Sequence, residues 1–173
     1  IYPSIQRPND EGKKRTSEIM DGHEVWLAEC VKLNLEPNAR RYAEGTRTSQ
    51  DAAEQLGCDV AHIAKSIVFK GEMSAIVVIT SGANRVDRKR KLKRILGYKP
   101  SMTDADYIIE NTGYAPGGVP PFGHLKPCIV LMDEDLFQYD IVWGAGGSAD
   151  SVFPITPDEL CERSGALVGD VKQ

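Results

Sequence analysis

Two apolar runs separated by four residues constrain this chain more than any other feature. Ser66-Ile67-Val68-Phe69 and Ser74-Ala75-Ile76-Val77-Val78-Ile79-Thr80 are rich in β-branched side chains, and only Lys70-Gly71-Glu72-Met73 lies between them. The composition predicts two buried strands, and the short connection predicts a hairpin. Further along, strands outnumber long helices and do not alternate strictly with them, which disfavours a doubly wound parallel sheet. The expectation is a single compact domain of mixed α/β class, its sheet curled into a barrel-like core with helices packed outside. The 173 residues are enough for one such core.

Around the hairpin the elements read in order. Ile19, Val25, Trp26, Cys30, Val31 and Leu33 recur near a helical period and predict a helix over about 18–34, with Gly22 weakening its first turn. Ala39–Gly45 reads as a short strand. Thr48 followed by Asp51, apolar Ala52, Ala53 and Leu56, and a stop at Gly57 predict a capped helix. A strongly basic helix runs to Gly97, with Val86, Leu92 and Ile95 left for packing, and a second short helix is capped by Thr103. Strands follow over 128–133, 140–147 and 151–155. Thr156-Pro157-Asp158-Glu159 opens a helix, and 166–171 closes the chain as a strand. Residues 1–17 are polar with two prolines and predict a flexible arm, leaving 18–173 as the domain.

Bulk chemistry narrows the function. Charged residues make up 27% of the chain, yet the net charge is only −4, so contact with nucleic acid must come from a local patch. Such a patch exists in Arg85, Arg88, Lys89, Arg90, Lys91, Lys93 and Arg94. It is either a solvated face or a surface for a phosphate backbone. Cys30, Cys58, Cys128 and Cys161 are far apart, and His23, His62 and His124 form no paired spacing, so a metal site is disfavoured. Unpaired cysteines point to a reducing cytoplasm. No apolar stretch approaches the roughly 20 residues of a membrane helix, and the N-terminus lacks the apolar core of a signal peptide.

Three places could carry chemistry. Lys65 sits at the mouth of a strand that otherwise reads as buried, so it is either a solvated strand end or a group pointing into a pocket. Gly113–His124 holds four glycines and three prolines, a composition that can fix backbone N–H groups in a concave array for a carbonyl or phosphate. Read more plainly, it is a rigid connection. Gly144-Ala145-Gly146-Gly147 is glycine-rich but not followed by a helix, and suits a bulge or bend. Gly82-Ala83-Asn84-Arg85 is equally open. No Ser-His-Asp signature is present, His124 is a lone histidine, and Asp104 and Asp106 suit a helix start.

The order Thr46-Arg47-Thr48, Ala52-Ala53, Leu56-Gly57, then Ile63-Ala64-Lys65-Ser66-Ile67-Val68-Phe69, then Asn84-Arg85-Val86-Asp87, then Thr112–His124 and a glycine bend resembles the YbaK family, also called the prolyl-tRNA editing or aminoacyl-tRNA deacylase family. The resemblance spans about 39–171 and implies a compact domain around a curved, mostly antiparallel sheet. It implies a trans-editing hydrolase that cleaves the ester between a wrong amino acid and the tRNA 3′ end. Lys65 would be the hallmark catalytic residue, acting as a hydrogen-bonding and electrostatic group, and the substrate's own ribose hydroxyl would help activate water. Gly117, Gly118, Val119 and Pro121 would place the terminal adenosine and ester. Proline at position 120, where many members carry a small polar residue, removes one N–H donor.

Thr46, Thr48, Ser66, His124, Gly144, Ala145 and Gly146 are the remaining candidate pocket residues, and Arg85, Arg88, Lys89, Arg90 and Lys91 the candidate tRNA-backbone contacts. The details look nearest to members that clear serine or threonine, with alanine or cysteine as alternative cargo. Mischarged tRNA is the implied partner, with an aminoacyl-tRNA synthetase as a further one and neither DNA nor membrane. Ester hydrolysis is downhill and calls for no cofactor. Two rival readings share the fold. One is a non-catalytic module that binds tRNA or a synthetase; the other is a hydrolase of an unrelated small ester or amide.

Overall fold

The computed structural model describes residues 21–173, so the expected arm over 1–17 and the first residues of the expected 18–34 helix lie outside the described residues. The hairpin is the centre of the molecule. Strand β2 (Ile63–Lys70) and β3 (Ala75–Ser81) pair antiparallel in unbroken register from Ala64 opposite Ser81 to Lys70 opposite Ala75. Every residue of β3 is buried, so both faces of the sheet are covered here. That is why its sequence is a continuous apolar run rather than an alternation.

The other strands are β1 (Arg40–Arg41), β4 (Ile129–Asp133), β5 (Val142–Ala145), β6 (Ser151–Ile155) and β7 (Leu167–Gly169). The sheet runs β1-β6-β5-β2-β3-β4-β7. Pairing is antiparallel for β1–β6, β2–β3 and β5–β6, and parallel for β2–β5, β3–β4 and β4–β7. The long hairpin gives antiparallel pairing most of the paired residues. The single mixed α/β domain is therefore as expected, with β1 and β7 forming the two edges of the sheet.

One face carries the larger core. Helix α1 (Gly22–Lys32) packs Trp26 and Cys30 there with Ala64, Val68, Val77, Ile79, Phe122 and Phe153. The Trp26 ring lies 4.5 Å from that of Phe153 and 5.8 Å from that of Phe122, and its Nε1–H donates to the Phe122 carbonyl at 3.3 Å. Helices α4 (Ala105–Thr112) and α5 (Pro157–Ser164) complete this layer. On the opposite face Phe69, Ile76, Val78 and Leu131 pack against Leu92 and Val171. Helix α2 (Ser49–Leu56) lays Ala52 and Ala53 on Ile63 and Val152.

Caps follow the sequence closely. Thr48 and Asp51 form a reciprocal capping box on α2, and Gly57 ends it in the left-handed conformation. Thr156 caps α5, with proline in its first turn. Helix α4 differs from expectation. Its cap is Asp104, not Thr103, because the Asp104 carboxylate accepts from the Tyr107 N–H at 3.0 Å.

The basic segment also differs. Arg88–Leu92 is a wide π turn, with the Leu92 N–H donating to the Asp87 carbonyl at 3.0 Å, and α3 (Lys93–Leu96) continues it. The extra residue in that turn shifts the helical phase. Leu92 and Leu96 therefore face the core, while Ile95, expected to pack, is exposed.

Candidate active site

A split in the sheet creates the cavity. Strands β2 and β5 pair at only two positions, Ile63 opposite Trp143 and Ala64 opposite Gly144. Along β2, the Ile63 carbonyl faces β3, where it accepts from the Gly82 N–H, while the Lys70 N–H and carbonyl face the other way, towards Ser101. By that alternation the Ser66 backbone groups point to the β5 side, beyond the last pair. A cavity of about 360 Å³ occupies this gap. Residues 63–67 line one wall. Thr46, Arg47, Thr48, Ser49 and Gln50 descend from the start of α2, and Gly117, Val119, Trp143, Gly144 and Ala145 close the rest. The Ser66 hydroxyl is buried and makes no hydrogen bond among the described residues, although Ser66 is a cavity residue.

Lys65 is half-buried in this wall, with neither an ion-pair nor a hydrogen-bond partner for its ammonium among the described residues. Burial, and secondarily the charge of Arg85, holds its pKa below the ordinary lysine value. It is thus not the solvated strand end that local sequence allowed. Such an unpaired, partly desolvated ammonium is poised to donate to an anionic or carbonyl oxygen.

The glycine-proline segment is a closed loop. Its ends are zipped by the Leu125 N–H to the Thr112 carbonyl and the Lys126 N–H to the Asn111 carbonyl. The Tyr114 hydroxyl donates across it to the Gly123 carbonyl at 3.0 Å. Within the loop the Gly118 N–H donates to the Ala115 carbonyl, and residues 120 and 121 are prolines with no N–H. Of Gly117–Pro121, only Gly117 and Val119 keep N–H groups without a partner among the described residues, and both line the cavity. They are the loop's candidate donors to a substrate oxygen.

The structure brings together Lys65, Thr46, Thr48, Ser66, Gly117, Val119, Gly144 and Ala145. It leaves Gly118, Pro121, His124 and Gly146 out of the cavity wall. Gly118 is pressed against the Ser148 backbone, where an added Cβ would lie 2.7 Å from Ser148 Cα. Pro121 backs Gly144 instead. The His124 Nε2–H donates to the Pro120 carbonyl at 2.7 Å, and burial holds the imidazole pKa below its usual value. Histidine here braces the loop. The Gly146 carbonyl accepts from His23 Nδ1–H at 2.7 Å, tying the bend to α1.

Sequence reasoning missed Arg47, Gln50 and Trp143. Arg47 lies between the two threonines and packs its stem on Gly117. Trp143 reads as an ordinary strand residue, and its place under the Arg40 guanidinium, 5.0 Å from the ring, has no local signature.

A second cleft of about 580 Å³ opens on the other side of Lys65 and shares Lys65 and Ile67 with the first. Arg85, Arg88 and Lys89 line it, so three of the five basic candidates gather beside the cavity. Arg90 and Lys91 do not line it, and Lys91 pairs with Asp170. No cysteine lines either space, and burial pushes the Cys30 and Cys128 thiols up to about 11.

Fold and cavity together define an editing-type domain. The chain belongs to the aminoacyl-tRNA editing domain family, whose model matches residues 43–162. It is 33% identical to the uncharacterised protein YwhH of Bacillus subtilis over 78% of this chain and 85% of that protein. The Enterococcus faecalis protein EbsC, provisionally named a Cys-tRNA(Pro)/Cys-tRNA(Cys) deacylase, is 24% identical over 92% of this chain and 96% of its own. A crystal structure provisionally described as a trans-editing enzyme for prolyl-tRNA synthetase superposes with a TM-score of 0.83 at 36% identity, covering 89% of this chain and 98% of that one.

Proposed function

We propose that this chain is a trans-acting hydrolase that clears a small, wrongly attached amino acid from the 3′ end of tRNA. The observation that carries the reading is Lys65. It is an ammonium without a partner among the described residues, held in the wall of a cavity also lined by Gly117 and Val119, whose N–H groups have no partner among the described residues. Water adds to the ester carbonyl carbon, the bond to the ribose oxygen breaks, and the water's remaining proton ends on that oxygen. The free amino acid and deacylated tRNA leave. Lys65 and the loop amides stabilise the oxygen that becomes negative, and the closed loop fixes the ester in place.

Hydroxyl-bearing residues favour serine or threonine as cargo. Thr46, Thr48, Ser49 and Ser66 surround the space, against apolar Ala52, Ile63, Val119 and Val152. A site that hydrogen-bonds a cargo hydroxyl discriminates strongly against an analogue lacking it, whereas size alone separates neighbouring amino acids by about 1–3 kcal/mol. The synthetase that makes the error is the natural second partner, and the reaction belongs where aminoacyl-tRNA is used, the cytoplasm.

The test is deacylation of seryl-, threonyl-, alanyl- and cysteinyl-tRNA by the native chain and by Lys65→Ala. Release of one or two cargoes by the native protein only, with serine or threonine ahead of alanine, supports the reading. Binding of tRNA with every ester left intact overturns it in favour of a non-catalytic module.

A further inference from the structure

The second cleft has the chemistry of a nucleotide site. Its rim carries Lys65, Arg85, Arg88 and Lys89. Among the described residues Asp87 is the one acidic side chain of the lining, and it caps the turn by accepting from the Arg90 N–H at 3.0 Å. Arg88 is fixed by donating to the Pro100 carbonyl at 2.8 Å. Arg85 and Lys89 have no side-chain partner among the described residues and are exposed. Four cations gathered around one acidic side chain repel one another, and a phosphate between them relieves that cost. The floor is different: Ile67 and Phe69 from β2, and Met102, whose side chain is 68% exposed. Apolar lining with an exposed, polarisable thioether beside a cationic rim suits a base joined to a phosphate.

The cleft also continues the candidate active site, because Lys65 and Ile67 form the wall between them. A ligand lying in both must carry an anion at the position of Lys65 and Arg85. We infer that the cleft binds the nucleotide immediately 5′ of the esterified one, with the linking phosphodiester held by Arg85 beside Lys65 and the base lying against Met102. This inference rests on the deacylase reading and specifies which part of the RNA is recognised. Single-stranded RNA is read by this combination of stacking and backbone charge.

Three esters of the amino acid released fastest in the tRNA panel test it: on adenosine, on 5′-adenylate, and on the dinucleotide cytidylyl-(3′→5′)-adenosine. The native chain should prefer the dinucleotide ester over the adenosine ester by about tenfold or more in kcat/KM. Arg85→Gln should bring that ratio close to one, whatever its absolute rate. Met102→Ala should reduce only the step from adenylate to dinucleotide. Arg94→Gln, which removes another exposed charge outside the cleft, should leave the ratio intact. A native ratio of one, or equal losses in Arg85→Gln and Arg94→Gln, overturns the inference while leaving deacylation standing. A second readout does not need turnover. In methyl NMR of the full chain, unesterified dinucleotide should move the Met102 signal and adenosine should not. That shift in a protein that cleaves no ester would keep the site and sink the deacylase reading; no shift with either ligand overturns the site.

Discussion

The Thr80 hydroxyl donates to the buried Asp133 carboxylate at 3.0 Å, and Thr80 is the residue that faces Lys65 across the hairpin. Asp133 is fully buried and also accepts from the Ser81 N–H, the Asn84 side-chain amide and the Asp135 N–H. This knot fixes the turn after β3 that presents Arg85. Asp133→Ala leaves those donors unsatisfied, and should lower stability by about 3 kcal/mol in urea unfolding. Asp133→Asn keeps one acceptor and should cost less.

Lys65 trades stability for its position. Its folded pKa lies below the unfolded value, so the unfolded chain binds more protons, and stability rises as pH climbs through the folded value towards about 10.4. Lys65→Met should therefore raise Tm by about 2 °C at pH 7, an advantage that shrinks at the alkaline end. A fall in Tm would mean the ammonium has a stabilising partner.

His124 gives the acid-side counterpart. Burial lowers its folded pKa, so its contribution is complete above about pH 6.5 and is lost as pH falls towards the folded value. Between pH 7 and 5 the native Tm should fall further than that of His124→Gln. Equal pH profiles would show that the imidazole protonates freely.

Removing the α2 cap should act on stability and site together. Thr48 accepts from the Asp51 N–H at 3.0 Å and its residue lines the cavity. Thr48→Ala should cost about 1 kcal/mol by denaturation. Thr48→Ser retains the capping oxygen and should restore most of it.

The close approach of α1 to the glycine bend allows no side chain. At Gly147, with φ +98°, an added Cβ would lie 2.4 Å from the Gly22 carbonyl oxygen. Gly147→Ala should destabilise by more than about 2 kcal/mol, measured by chemical denaturation. Gly45→Ala, also at positive φ but with its nearest neighbour 3.6 Å away, should cost less.

Much of this was legible in the residues because the controlling interactions are local. The hairpin, the capping box at Thr48 and Asp51, and the Pro157 helix start each lie within a few positions. Family resemblance then picked out Lys65 and the loop. Where sequence failed, the cause was a contact from elsewhere or a change of phase. Thr103 and Asp104 are both good caps, and only the loop geometry chooses between them. The π turn at Arg88–Leu92 exchanged Ile95 for Leu96 in the core. His124 faces Pro120 rather than the cavity, and no local pattern separates those outcomes. The split between β2 and β5, which makes the cavity, is a property of two distant segments.

Helix α1 precedes the family-matched segment and lines neither cleft, yet it supplies Trp26, the largest side chain wholly removed from solvent. That indole touches Phe153 and the Phe122 carbonyl, while His23 one turn earlier grips the Gly146 carbonyl. The segment matched by the family model is therefore shorter than the body into which it packs. A fusion or transplant cut at residue 43 would carry every cavity residue and lose the keystone that holds two of the cavity's walls at their working distance.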